Sequence, residues 1–182
     1  MIHPLPYQDQ KPLGAADFYF AINATFRFIR KTLGEEALKT YWSDLGRTYM
    51  APVTQQWKQG GLSAIAEYWQ AFFAAEPGAE VEVNIVERGE GPSSQMSLGV
   101  DSKRLAVILE VRTCPAIRHL RGNGRDIDPG FCQHCYYVSE AAALPAGFTV
   151  RVQGGNGSCR QTFLPREQAE DPQDLHDIRE AS

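Results

Sequence analysis

An α+β fold, with N-terminal helices packed on a mainly antiparallel sheet and a cysteine-bearing helix ahead of a C-terminal β-hairpin, is predicted from three features of the chain. Three successive segments within the first 75 residues repeat their apolar positions with the helical period. After Pro77-Gly78 the period changes to two. Near the end, two short apolar runs flank an Asn-Gly pair, the strongest short-range signal for a tight hairpin.

The first helix is read from Ala15, Phe18, Tyr19, Ile22, Phe26, Ile29 and Leu33, a single stripe closed by Gly34. Ala37, Leu38, Tyr41, Trp42, Leu45 and Tyr49 predict a second helix, which Pro52 limits or kinks. A third, over 62–75, presents Leu62, Ile65, Ala66, Trp69, Phe72 and Phe73 before Pro77-Gly78 stops it. Val81, Val83 and Ile85 alternate with Glu80, Glu82 and Asn84, as a strand with one wet face does. A turn over 89–94 and a weaker strand over 95–100 follow. The run RLAVILEVR over 104–112 then reads as a more buried strand.

Past Cys114-Pro115 a short helical piece reaches Leu120 and gives way to a Gly, Asn and Asp-rich loop. Asp128 as N-cap with Pro129 in the first helical position predicts a helix over 129–143, ended by Leu144-Pro145-Ala146-Gly147. The hairpin strands are 148–153 and 158–164, around Gly154-Gly155-Asn156-Gly157. Residues 1–14 read as an extension, 15–164 as one domain, and the charged segment 165–182 as a tail, frayed or helical on the surface.

Composition narrows the function classes. A formal charge of −4 carries no basic footprint of the kind phosphate contacts need, so nucleic acid is not an expected partner. No apolar run approaches the ~20 residues that cross a bilayer, and residues 1–12 have no apolar export segment. A cytoplasmic protein without membrane contact is expected. In that reducing setting the four cysteines are expected as thiols or metal ligands, not disulfides.

All four, Cys114, Cys132, Cys135 and Cys159, fall within 46 consecutive residues after a stretch of 113 with none. Cys132 and Cys135 are three apart near a predicted helix start, where the helix dipole favours thiolate. Cys159 shares strand parity with Phe163 and so faces inward, and Cys114 ends the buried strand where Pro115 breaks the ladder. One pair and two single cysteines can close a zinc site or hold an iron–sulfur cluster. The plainer reading is four buried small hydrophobes. His119, His134, Asp126, Asp128 and Glu140 stand nearby in sequence as acids, bases or ligands, although capping already accounts for Asp128. Arg160 can bind a carboxylate, but by strand parity it points away from Cys159 and reads as a surface residue. Trp42, Tyr49, Trp57, Tyr68 and Trp69 either wall a pocket for a flat ligand or pack the core.

The succession Thr113-Cys114-Pro115, Phe131-Cys132-Gln133-His134-Cys135, then Gly154 to Gly157 leading into Cys159-Arg160-Gln161-Thr162-Phe163, resembles the 2-amino-thiazoline-4-carboxylate hydrolase family over residues 104–164. The order of elements is also similar to vinyl-reductase-type small-molecule-binding domains. The resemblance implies a small-molecule pocket between helices and sheet, dimers in many members, and hydrolysis of a cyclic carbon–nitrogen bond. Asn156 stands where the pattern has an acidic residue, and Cys135 where many members carry Asp. The second departure favours four thiolates around a metal.

Two functional expectations follow. In one, a hydrolase of thiazoline or cyclic amidine type uses Cys132 or Cys159 as nucleophile with His119 or His134 carrying the proton, or a cysteine-bound metal activates water. In the other, Cys114, Cys132, Cys135 and Cys159 hold zinc or a cluster in a binding or sensing domain. Aromatic-rich helices are compatible with a homodimer in both.

Overall fold

The computed structural model describes residues 17–87, 104–169 and 171–182. The extension 1–14, the turn over 89–94 and the strand over 95–100 lie outside the described residues. Three helices, α1 (Phe18–Leu33), α2 (Glu35–Thr48) and α3 (Ala51–Ala74), precede the strands β1 (Glu80–Glu87) and β2 (Leu105–Thr113). Two shorter helices, α4 (Pro115–Gly122) and α5 (Gln133–Ala143), lead to the hairpin β3 (Phe148–Gly155) and β4 (Ser158–Pro165), and a short β5 (Ile178–Arg179) ends the fold. The architecture is α+β, as the periodicities predict.

The sheet runs in the order β1-β2-β4-β3-β5, antiparallel throughout except for the parallel β3–β5 pair. Val107, Leu109 and Val111 of β2, Val150 and Val152 of β3, and Phe163 of β4 are buried on one face, as the period of two requires. Trp57, Ile65 and Trp69 of α3, with Ala142 and Ala143 of α5, cover that face and complete one core. A second core joins α1, α2 and α4 through Phe26, Leu38, Trp42, Ile117, Leu120 and Phe131. Cys132 packs against both cores, so the start of α5 sits at their junction.

Four local expectations are corrected. Pro52 does not end a helix; it occupies the first turn of α3, where its missing N–H costs nothing, and the helix runs on to a break at Gly61 with φ 62° and ψ −146°. Asp128 does not cap α5, which begins at Gln133. Its carboxylate is instead buried, accepting from Arg30 Nε and Nη2 at 2.8 and 2.9 Å and from the Gly130 N–H at 2.9 Å. The segment after Pro165 is neither frayed nor a surface helix: Gln173 exchanges hydrogen bonds with Val152, Ile178 is buried, and β5 pairs with Gly154 and Gly155. Tyr49 contributes to neither core, being 79% exposed, because α2 ends just before it.

The three tryptophans pack internally. Trp57 meets Phe163 edge-on and Trp69 lies tilted against it, and Trp42 meets Phe26 edge-on at 5.2 Å, the ordinary packing role of large aromatics. Arg160 pairs across the sheet with Glu110, its register partner, which accounts for its charge without a substrate.

Candidate functional site

Three parts of the fold deliver the cysteines. Cys114 follows β2 as the N-cap of α4, its backbone extended at ψ 118° because Pro115 disfavours a helical conformation in the residue before it. Cys132 is the N-cap of α5, and Cys135 sits one turn later in the same helix. Cys159 lies one residue into β4, paired with Val111 on one side and Gly154 on the other. Two helix N-termini therefore point their partial positive charge at one region, the end of the sheet where the β3–β4 turn lies.

That turn holds the region together. Asn156 and Gly157 both have positive φ, 57° and 113°, the pattern that an Asn-Gly hairpin loop supplies. The Gly157 carbonyl accepts from the Cys114 N–H at 2.8 Å, and the Asn156 N–H donates to Cys132 Sγ at 3.2 Å. Gly154 is bare for a packing reason: a Cβ there would lie 2.8 Å from the Ser158 carbonyl oxygen and 3.1 Å from Cys159 Cα.

The four thiols are free and partly buried. Each lies within electrostatic reach of the other three. Burial raises Cys114 to about 11, with the neighbouring Cys135 adding to the shift and the N–H groups of Ile117 and Ala116 opposing it. Burial also raises Cys132 to about 12, reinforced by Cys135 and Cys114 and opposed by the N–H groups of Asn156 and Gly157. Cys135 reaches about 12 through burial, eased by its own N–H. Cys159 is raised furthest, by burial and then by the other three thiols, and the Gln161 amide opposes the shift through a contact of 3.9 Å from Nε2 to Sγ. Unaided, all four are thiols at neutral pH. Among the described residues, no three His, Cys, Asp or Glu side chains stand close enough together to hold one metal ion between them.

The two histidines are placed differently. His134 lies beside Cys135, both ring nitrogens 3.9 Å from Sγ, but its Nδ1–H donates to the Phe131 carbonyl and the ring packs on Phe26 and Phe131. Burial lowers its pKa, so it is a neutral ring. His119, at the far end of α4, lies tilted against Phe20 with centroids 4.7 Å apart and approaches Asp17 Oδ1 at 3.5 Å. Asp126 is exposed and pairs with Arg27, while Glu140 accepts from the Thr149 hydroxyl and the Val150 N–H. The contacts of His119, Asp126 and Glu140 position structure, and of these four residues His134 is the one whose ring stands within hydrogen-bonding distance of a thiol, that of Cys135.

Two residues join the site that the cysteine pattern does not reveal. Tyr19 on α1 is raised by burial and by Glu76, to which its hydroxyl donates at 2.5 Å, and then by Cys114 and Cys135; Tyr19 and Cys114 pack against the same core. Gln161 is buried, with one side-chain nitrogen toward Cys159 and its Oε1 without a partner. Strand parity with Cys159 and Phe163 was the available signal for Gln161; nothing in sequence spacing links Tyr19 to cysteines almost a hundred residues away. The open surface groove of about 470 Å³, between Arg27, Phe28, Lys31 and Asp128, contains none of the cysteines. No described helix is long and apolar enough to cross a membrane.

Compared with protein-family models, with curated proteins and with solved structures, the chain matches none of them.

Proposed function

We propose that this chain is a binding or sensing domain organised around a soft-metal centre held by Cys114, Cys132, Cys135 and Cys159. The observation that carries the reading is that one turn joins the three parts of the fold that bear the cysteines: its Gly157 carbonyl accepts from the Cys114 N–H, its Asn156 N–H donates to Cys132 Sγ, and Cys159 follows two residues later in β4. Chance burial of a small hydrophobe does not require a backbone N–H directed at its sulfur, which Cys132 has from Asn156 at 3.2 Å. The largest influences on the four thiols include no cationic side chain. A bound cation supplies that missing charge, and the two helix N-termini share in balancing the thiolates.

Four thiolates suit zinc or an iron–sulfur cluster, and a fully thiolate-ligated centre leaves no open position for catalysis. A cytoplasmic setting, where thiols stay reduced, goes with this reading. A small-molecule ligand beside the centre is compatible with the partial exposure of the thiols. Exposed Phe18, Phe28 and Leu33 along α1 are compatible with a homodimer. The test is metal content. The purified full chain should carry metal, and each single Cys→Ser variant should lose more than half of it and melt at a lower temperature. Variants that keep all of the wild-type metal remove the reading.

One observation favours a second reading, hydrolysis of a cyclic carbon–nitrogen bond of thiazoline or amidine type. The Asn156 and Gly157 N–H groups both favour the Cys132 thiolate, the support a nucleophile needs. In this version Cys132 or Cys159 attacks, and His134 or His119 carries the proton. A Cys132→Ala protein that turned over such a ring at the wild-type rate would exclude nucleophilic attack by Cys132.

A further inference from the structure

Apart from the thiols, we infer that the groove along α1 binds an acidic, extended segment of a partner protein. Phe20, Ala24, Arg27 and Lys31 recur at steps of four, three and four residues and so form one ridge of the helix. Two cavities, of about 470 and 260 Å³, lie along this ridge and share Ala24 and Arg27, so they are continuous. The loop carrying Arg125, Asp126 and Asp128 forms the opposite wall. From Phe20 to Lys31 the helix rises about 16 Å. An open groove of that length does not enclose a ring-sized ligand, but it matches about five residues of extended chain.

Charge selects the kind of segment. The whole chain carries −4, yet four cations line the groove against two carboxylates. Arg30 and Asp128 satisfy each other, and Arg27 meets the exposed Asp126 at 3.3 Å, a pairing of little worth in water. Among the described residues, Lys31 and Arg125 have no ion-pair partner. They mark the two ends: Arg125 stands over the Phe20 ring, 4.8 Å from its centroid, and Lys31 is the last residue of the ridge. In an extended segment residues i, i+2 and i+4 face the same way. An acidic residue at each end then meets Arg125 and Lys31, while an apolar residue between them sits over Ala24, whose methyl leaves room between Phe20 and Phe28. The Asp126 carboxylate in the wall repels a continuous phosphate backbone, so spaced carboxylates suit the groove better than nucleic acid does.

The test titrates the isotope-labelled full chain with the peptide Glu-Ser-Leu-Ser-Glu and follows its amides by NMR. Shifts confined to residues 20–31 and 125–129 are expected. Lys31→Glu and Arg125→Glu should each weaken binding about fivefold or more, and Ala24→Phe should do the same by filling the groove without changing its charge. Lys58→Glu, an equal charge change on α3, should leave the affinity within about twofold. All four positions are exposed, so each variant keeps its fold. Absence of shifts at millimolar peptide, shifts elsewhere, an equal loss in Lys58→Glu, or affinity for benzoate or oligothymidylate that matches the peptide overturns the proposal. So does a dimer, seen by sedimentation, that Ala24→Phe dissociates, because a second copy of the chain then covers the ridge.

Discussion

A carboxylate shut away from water must find its charge and its hydrogen bonds inside the protein, and Asp128 does both. Its side chain is fully buried, Arg30 meets it with two parallel N–H donors, and Gly130 supplies a third. Its own N–H donates to Asn23 Oδ1, which fixes the backbone three residues before Phe131 and so the entry to Cys132. Removing one partner of such a pair leaves the other desolvated and alone, at a cost of about 3–5 kcal/mol. Arg30→Ala, which leaves the buried Asp128 without its cation, should therefore lower the unfolding free energy by an amount in that range, read as a lower denaturant midpoint at an unchanged slope, while Asp126→Ala, at an exposed pair, should lower it by less than about 1 kcal/mol. Equal effects from the two substitutions would show that Asp128 is not the anchor of this segment.

Among the elements, α5 is set by a close crossing with α2. A Cβ on Gly46 would lie 2.3 Å from the Val138 carbonyl oxygen and 2.7 Å from Ala141 Cβ, both on α5, so only glycine admits this approach. Gly61, by contrast, has open space around it but a backbone conformation that side chains resist. Gly46→Ala and Gly61→Ala should each cost about 1–3 kcal/mol, the first through overpacking and the second through backbone strain. Their effects on the site should differ: Gly46→Ala displaces the helix that carries Cys132 and Cys135 and should lower bound metal, whereas Gly61→Ala should leave it unchanged in the folded protein. Metal content that is unaffected in Gly46→Ala would mean that the crossing does not position the cysteines. These elements also mark what sequence makes legible. Period, Asn-Gly and Pro-Gly are local signals, and they specify helices, strands and the hairpin without reference to partners. The start of α5 escaped because Asp128-Pro129 carries a capping pattern that the buried Arg30 pair overrides. That the cysteine-bearing segments meet at one turn could be read only from the clustering of cysteines in the chain, while Gln161 reaches Cys159 and Tyr19 reaches the second core by tertiary packing, which spacing does not encode.

At the scale of the whole molecule, the last residues tie together the two segments that flank the thiols. Ile178 adds a parallel pairing to Gly154, and Gly155 is so close to the strap that a Cβ there would sit 2.4 Å from the Arg179 carbonyl oxygen. The Ala181 N–H donates to the Pro129 carbonyl at 3.0 Å, just ahead of Cys132, and the Ser182 N–H donates to Asn156 Oδ1 at 3.0 Å in the turn. Arg121 from α4 donates to both Asn156 Oδ1 and the Ser182 carbonyl oxygen, at 2.6 and 2.7 Å, which brings the Cys114 element into the same network. Losing residues 178–182 therefore removes the burial of Ile178, about 1.5–3 kcal/mol, and frees the turn that contacts Cys114 and Cys132. A chain ending at Asp177 should still fold, because the five helices and the four longer strands keep both cores apart from Ile178 and Ala181. Its amide exchange should rise at Asn156 and Gly157 by at least tenfold while amides in the middle of β2 stay protected. Bound metal should be released faster to a chelator than from the full chain. Unchanged exchange at Asn156 and Gly157 would show that the turn is rigid without the strap, and that the geometry of the thiols is set by the hairpin alone.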